Sequence, residues 1–193
     1  MSEAKMSQVS TESKFKAQIL RPKNPGSGEP WAFIILPKAI SAKLPRRGRT
    51  TVDGTINGKP FTVLLEPDGK KSHWLQIDQK LLKKSGVSFG DVAEFEVMSA
   101  AEELDPEIPA DLLAALSASP EAKNTWNQTT TISRIDWIHW ITSAKQEKTR
   151  TKRIHDACDM LASGKKKVCC FDTSGFYSKA FSAPETSDYE WLD

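Results

Sequence analysis

Asn57-Gly58 lies between two alternating runs, Val52, Gly54 and Ile56 before it and Phe61, Val63 and Leu65 after it. An Asn-Gly pair supplies the two left-handed backbone conformations that a two-residue hairpin turn demands, so this stretch predicts an antiparallel hairpin with one face inward. Pro67-Asp68-Gly69 is the next turn sequence, and His73 to Ile77 reads as the strand after it. Upstream, Phe15 to Leu20 reads as a first strand and Pro22 to Pro30, with three prolines and two glycines, as a loop. The unbroken apolar run Trp31 to Leu36 suits a strand buried on both faces. Downstream, Asp78 caps a short helix through about Lys84 that Gly86 ends. Gly90-Asp91 then turns the chain into a last strand with Ala93, Phe95 and Val97 inward and Glu94 and Glu96 toward water.

Sliding the chain by 41 residues superposes Leu36-Pro37-Lys38-Ala39-Ile40 on Ile77-Asp78-Gln79-Lys80-Leu81, and Val52, Gly54 and Ile56 on Ala93, Phe95 and Val97. The pattern strand, short helix, turn, strand thus occurs twice, as in a pseudo-two-fold barrel whose halves cover each other. Residues 14–98 are therefore expected to form a β domain, preceded by a polar, disordered tail over 1–13. Glu102, Glu103, Asp105 and Glu107 with Pro106 and Pro109 mark an acidic linker at 99–107, after which the spacing turns helical.

In the helical domain expected over 108–168, Leu112, Leu113 and Leu116 line a helix that starts near Pro109 and ends before Pro120, where Ser119-Pro120-Glu121 opens another. Ser133 to Asp136 resembles a capping box, followed by Trp137, Ile138, Ile141 and Ala144 at helical steps. A last helix from about Thr149 sets Ile154, Cys158 and Leu161 inward and Arg150 and Arg153 outward, ending at Gly164. The tail over 169–193 is aromatic enough to be expected to dock on the body.

The 27 basic and 25 acidic residues give a formal charge of +2, so a role with nucleic acid has to rest on a local patch. Three clustered cysteines, Cys158, Cys169 and Cys170, do not resemble a secreted disulfide framework. No apolar run is long enough for a signal peptide or a bilayer span, and a cytoplasmic protein without membrane insertion is expected.

Trp31, Leu36-Pro37, Val52-Asp53-Gly54, Asn57 to Phe61, Pro67-Asp68-Gly69 and Gly90-Asp91-Val92 resemble the domain of unknown function 1905 over roughly Phe15 to Val97. Ala144-Lys145, Glu147, Thr149-Arg150 and Arg153-Ile154 resemble the YdeI/OmpD-associated, bacteriocin-protection family. The resemblance implies an α+β protein: an AbrB-like split β-barrel followed by a small α-helical domain. It also implies a role in envelope stress and protection from bacteriocins or cationic peptides, with no established reaction. One departure from the pattern is Lys70-Lys71, where the turn calls for a smaller, glycine-like residue.

His73, His139 and His155 are scattered and build no catalytic constellation, and the cysteines lack the paired spacing of a zinc site, so no metal or cofactor is expected. Tryptophans 126, 137 and 140 at helical spacing are read as core. Arg46, Arg47 and Arg49, with Lys70 and Lys71 on a neighbouring turn, form the candidate anion-binding patch. Arg150 and Arg153 are the candidates on the helical side. The expected function is non-enzymatic binding of a protein, peptide or envelope component in stress protection. The alternative is an AbrB-like regulator that binds nucleic acid through the basic patch.

Overall fold

The computed structural model describes residues 12–187. The described residues divide into two compact units, one of residues 12–102 with 174–187 and one of residues 103–173. The first holds β1 (Ser13–Gln18), β2 (Ala32–Ile35), α1 (Lys38–Ser41), β3 (Thr50–Ile56), β4 (Lys59–Pro67), β5 (His73–Ile77), α2 (Gln79–Ser85) and β6 (Val92–Ser99). The second holds α3 (Ala110–Ala118), α4 (Pro120–Asn127), α5 (Thr131–Thr142) and α6 (Glu147–Ala162). The architecture is α+β, with the strands first and the helices after them. The expected tail over 1–13 lies, up to Thr11, outside the described residues, and Ser13 already belongs to β1. No helix among the described residues is long and apolar enough to cross a membrane.

In the first unit six antiparallel strands run in the order β1-β6-β3-β4-β5-β2 and curl into a half-barrel. Leu20 and Phe33 exchange both backbone hydrogen bonds, at 2.9 and 3.0 Å, and so join the ends of the sheet. Alternation decides what lies inside. Val52, Ile56, Leu65, Leu75, Ile77, Ala93, Phe95 and Val97 point into one apolar core with Ala32, Ile34 and Leu36. Phe33 is buried on the other face of β2 beside Trp31 and Trp74, but Ile35 is exposed. Burial on both faces, expected for the whole run, thus stops where that aromatic cover ends.

Asn57 and Gly58 take φ of +47° and +78°, the turn expected of them. Gly54 has a further role in β3. A Cβ there would stand 2.2 Å from the Glu96 carbonyl oxygen and 2.8 Å from the Phe61 ring, so its absence lets β6 and that ring close up. Asp78 caps α2 by accepting from the Leu81 N–H at 2.7 Å, and Gly86 ends it at φ +68°. Lys71, where a glycine-like residue was expected, does adopt the left-handed region at φ +71°.

The tail returns to this unit. Phe181 is buried, its ring against Gly175 and its carbonyl where a Cβ on Gly69 would be, 2.3 Å away. Further on, the Lys23 N–H donates to the Glu185 carbonyl at 2.8 Å and the Ser187 N–H to the Arg21 carbonyl at 3.0 Å. Tyr189 and Trp191, which contributed to the expectation of docking, lie outside the described residues.

The second unit packs Leu112, Leu116, Ala122, Trp126, Trp137, Ile141, Ile154, Ala157 and Leu161 into its own core. Trp126 and Trp137 are core residues, as their spacing implied. The start of α5 differs from expectation. Thr130, not Ser133, is the cap, accepting from the Ser133 N–H at 3.2 Å, because the earlier start adds a turn that buries Ser133 and Ile135. At the end of α6, Gly164 takes φ +87° and donates to the Leu161 carbonyl at 2.8 Å.

Phe181→Ala is expected to destabilise the first unit by about 3 kcal/mol, the cost of emptying an aromatic site. Hydrogen exchange of the β3, β4 and β6 amides as a function of urea reads this, and a change below about 0.5 kcal/mol would mean the tail is not part of the fold.

Candidate functional site

Arg46, Arg47 and Arg49 stand in a loop that enters β3, and a buried histidine holds that loop down. His73 is fully buried; its Nε2 donates to the Gly48 carbonyl at 2.9 Å, and its Nδ1 lies 2.8 Å from the Ser41 hydroxyl, which donates to it. Both ring nitrogens are committed, so His73 is a fastening between α1, the arginine loop and β5. Burial pushes its pKa below the ordinary histidine value, because the charged ring would lose its water.

The three arginines separate. Arg49 is 5% exposed, its Nε donating to one carboxylate oxygen of Glu66 at 2.9 Å and lying 2.8 Å from the other, with the Phe181 ring 4.7 Å from its guanidinium carbon. Arg46 is half-buried. Arg47 stays exposed, and its Nη1 reaches the Lys71 carbonyl at 3.2 Å. That contact joins the arginine loop to the turn between β4 and β5.

Asp68 shapes this turn, its Oδ1 accepting from the N–H groups of Lys70 and Ser72, each at 2.7 Å. Both lysine side chains are left outside. The Lys71 ammonium lies 4.5 Å from the centre of the Phe176 ring, and the Lys179 ammonium lies 4.9 Å from the same centre. Tyr177, exposed, stands edge-on to Phe176 with ring centres 5.1 Å apart. Among the described residues none of Arg47, Lys70, Lys71 and Lys179 is ion-paired with a carboxylate. Four cations with no carboxylate partner among the described residues, and two aromatic rings, therefore lie on the adjoining arginine loop, β4–β5 turn and tail, which suits an anionic ligand with flat or apolar parts.

Arg150 and Arg153 belong to the second unit and serve its packing. Arg150 grips Asp111 of α3 through two hydrogen bonds, at 2.6 and 2.9 Å, and these hold the Asp111 carboxyl below its ordinary range. Arg153 donates to the Trp140 carbonyl at 2.5 Å and to the Ser143 hydroxyl at 3.2 Å, with its guanidinium over the Trp140 ring. Both are half-buried rather than outward, because α6 packs on α3 and α5 along this side. A shallow depression on α6 is lined by Glu147, Lys148, Thr151, Lys152 and His155. Of the seven cations singled out in the sequence, Arg47 and Lys71 are joined in the surface cluster, and Lys70 is exposed on the same turn as Lys71. Lys179 and Phe176 complete it without having been singled out, since only the aromatic content of the tail hinted at them.

Residues 15–97 match the family model described as a domain of unknown function (DUF1905). Residues 105–164 match the one described as Bacteriocin-protection, YdeI or OmpD-Associated. The chain therefore carries a domain of unknown function 1905 on its N-terminal side, followed by a YdeI/OmpD-associated, bacteriocin-protection domain. No curated protein matches it.

The buried neutral His73 sets a pH dependence. Below the ordinary value of about 6.5 the unfolded chain takes up a proton that the folded one refuses, so stability rises with pH through that window and falls on acidification. The loss from this one group cannot exceed about 1.4 kcal/mol per pH unit. His73→Gln, whose amide can still donate to Gly48, is expected to flatten the difference in unfolding free energy between pH 7 and pH 5.5. An unchanged slope would remove His73 as its source.

Proposed function

We propose that this chain is a non-enzymatic, cytoplasmic binding protein that acts in bacteriocin or stress protection. The cluster of Arg47, Lys70, Lys71 and Lys179 around Phe176 holds its ligand, an acidic peptide or an anionic envelope component. The family match supports the protective role, and the four cations that have no carboxylate partner among the described residues carry the choice of an anionic ligand. A small, flexible patch of lysines binds charge without needing bidentate geometry, which suits recognition more than chemistry.

The finer fold reading is a pseudo-duplicated, AbrB-like split barrel. Its support is the element order, in which β1-β2-α1-β3 is followed by β4-β5-α2-β6. Exchanging the first set with the second leaves the neighbours of every strand the same once the Leu20–Phe33 bridge is included. AbrB-like barrels suggest the second reading, a nucleic-acid-binding regulator that uses the same four cations on phosphates.

One titration separates the readings. Wild-type protein is expected to bind a poly-glutamate peptide or anionic phospholipid vesicles at low salt, with at least a tenfold loss in the Arg47→Gln, Lys71→Gln, Lys179→Gln triple variant. Retention of duplex DNA instead, with a salt slope that falls by about 0.9 for each cation removed, would favour the regulator. Binding of none of these, or substrate turnover abolished by one point mutation, would overturn the proposal.

A further inference from the structure

We propose that Cys169 and Cys170 form a dithiol site for a trivalent, thiophilic metalloid such as arsenite. The two thiol sulfurs are 3.2 Å apart and both side chains are exposed. The backbone holds them so. Val168, on one side, packs against the helical core, and Phe171, on the other, rests against the His139 ring with centres 6.0 Å apart. Between these anchors the chain makes a two-residue turn, with Cys170 in the left-handed region at φ +56°. An outward-facing pair of sulfurs is the result.

Geometry selects among the things a pair of thiols can do. Neighbouring Cα atoms are about 3.8 Å apart across a trans peptide, below the range of about 4.4 to 6.8 Å that disulfides favour, so a Cys169–Cys170 disulfide would be strained and readily reduced. The pair therefore stays available as thiols. Zinc wants about four ligands, and no group of three or more His, Cys, Asp or Glu residues comes together among the described residues. A linear two-coordinate ion with metal–sulfur bonds of about 2.3 Å would hold its sulfurs roughly 4.6 Å apart. A pyramidal centre with near right-angle bonds of that length holds them roughly 3.3 Å apart, close to the spacing already present. Trivalent arsenic is such a centre, and thiolate is its soft partner.

The exchange needs no oxidant. Arsenite, As(OH)3, loses two As–O bonds and gains two As–S bonds; each thiol proton leaves with a hydroxide as water, and arsenic stays trivalent. The third position keeps its hydroxyl. In a monosubstituted arsenical such as phenylarsine oxide the organic group occupies that position, and one water is released.

The test uses the full chain, reduced, with phenylarsine oxide as the probe and intact mass as the readout. One adduct per chain is expected, stable to excess glutathione and removed by dithiothreitol, because only a dithiol competes with a chelate. Cys169→Ser and Cys170→Ser are each expected to weaken binding by roughly a hundredfold or more, the loss of the second, intramolecular bond. Cys158→Ser, which removes the half-buried thiol on α6, is expected to leave it unchanged. An adduct that survives in the Cys169→Ser, Cys170→Ser double variant, one that glutathione strips from wild type, or no adduct would each overturn the site. So would a Cys169–Cys170 disulfide that persists in a glutathione buffer, since the dithiol would then not be available.

Discussion

A buried guanidinium organises the first unit. Burying an arginine costs several kcal/mol unless its charge is met, and Arg49 is met by the Glu66 carboxylate and the face of the Phe181 ring. Glu66 lies in β4, Arg49 just before β3, and Phe181 in the tail, so one side chain ties three distant parts of the chain together. The tail then cannot lie just anywhere. With Phe181 seated over Gly69 and Gly175, Phe176 and Lys179 fall beside Lys71, and the surface cluster follows from an interaction in the interior.

That chain of dependence explains which parts could be read in advance. Asn57-Gly58, the Asp78 cap and the glycines at 86 and 164 act within a few residues, so their roles were legible from local sequence. Lys71 was legible as a misfit in its turn, and the structure gives it the left-handed conformation a glycine would take. Arg47 and Arg49 look alike in sequence, yet one is solvated and the other buried, because only the latter meets Glu66 and Phe181. No periodicity signals a partner so far along the chain. Arg150 and Arg153 illustrate the opposite error: helical spacing sent them to water, but Asp111 and the end of α5 offered them partners.

The two family matches cover 15–97 and 105–164, and several of the features argued to bind ligands lie beyond both. Phe176 and Lys179 complete the cationic cluster from the tail, and Cys169-Cys170 sits in the turn after α6. The matched segments supply the half-barrel and the helical core. The segment after residue 164 contributes to each unit in turn, first the paired cysteines on the helical unit and then the aromatic ring and lysine on the half-barrel.

Hydrogen exchange on wild type and Arg49→Met tests this dependence most directly. The methionine keeps much of the length and apolar bulk of arginine but removes its pairing with Glu66 and its attraction to the Phe181 ring. The account predicts that the amides of Lys23 and Ser187, protected in wild type by their bonds to Glu185 and Arg21, exchange much faster in the variant. Those of α4 to α6 are predicted to keep their protection. Unchanged protection at Lys23 and Ser187 would contradict the claim that Arg49 holds the tail, and with it the origin proposed for the cationic cluster.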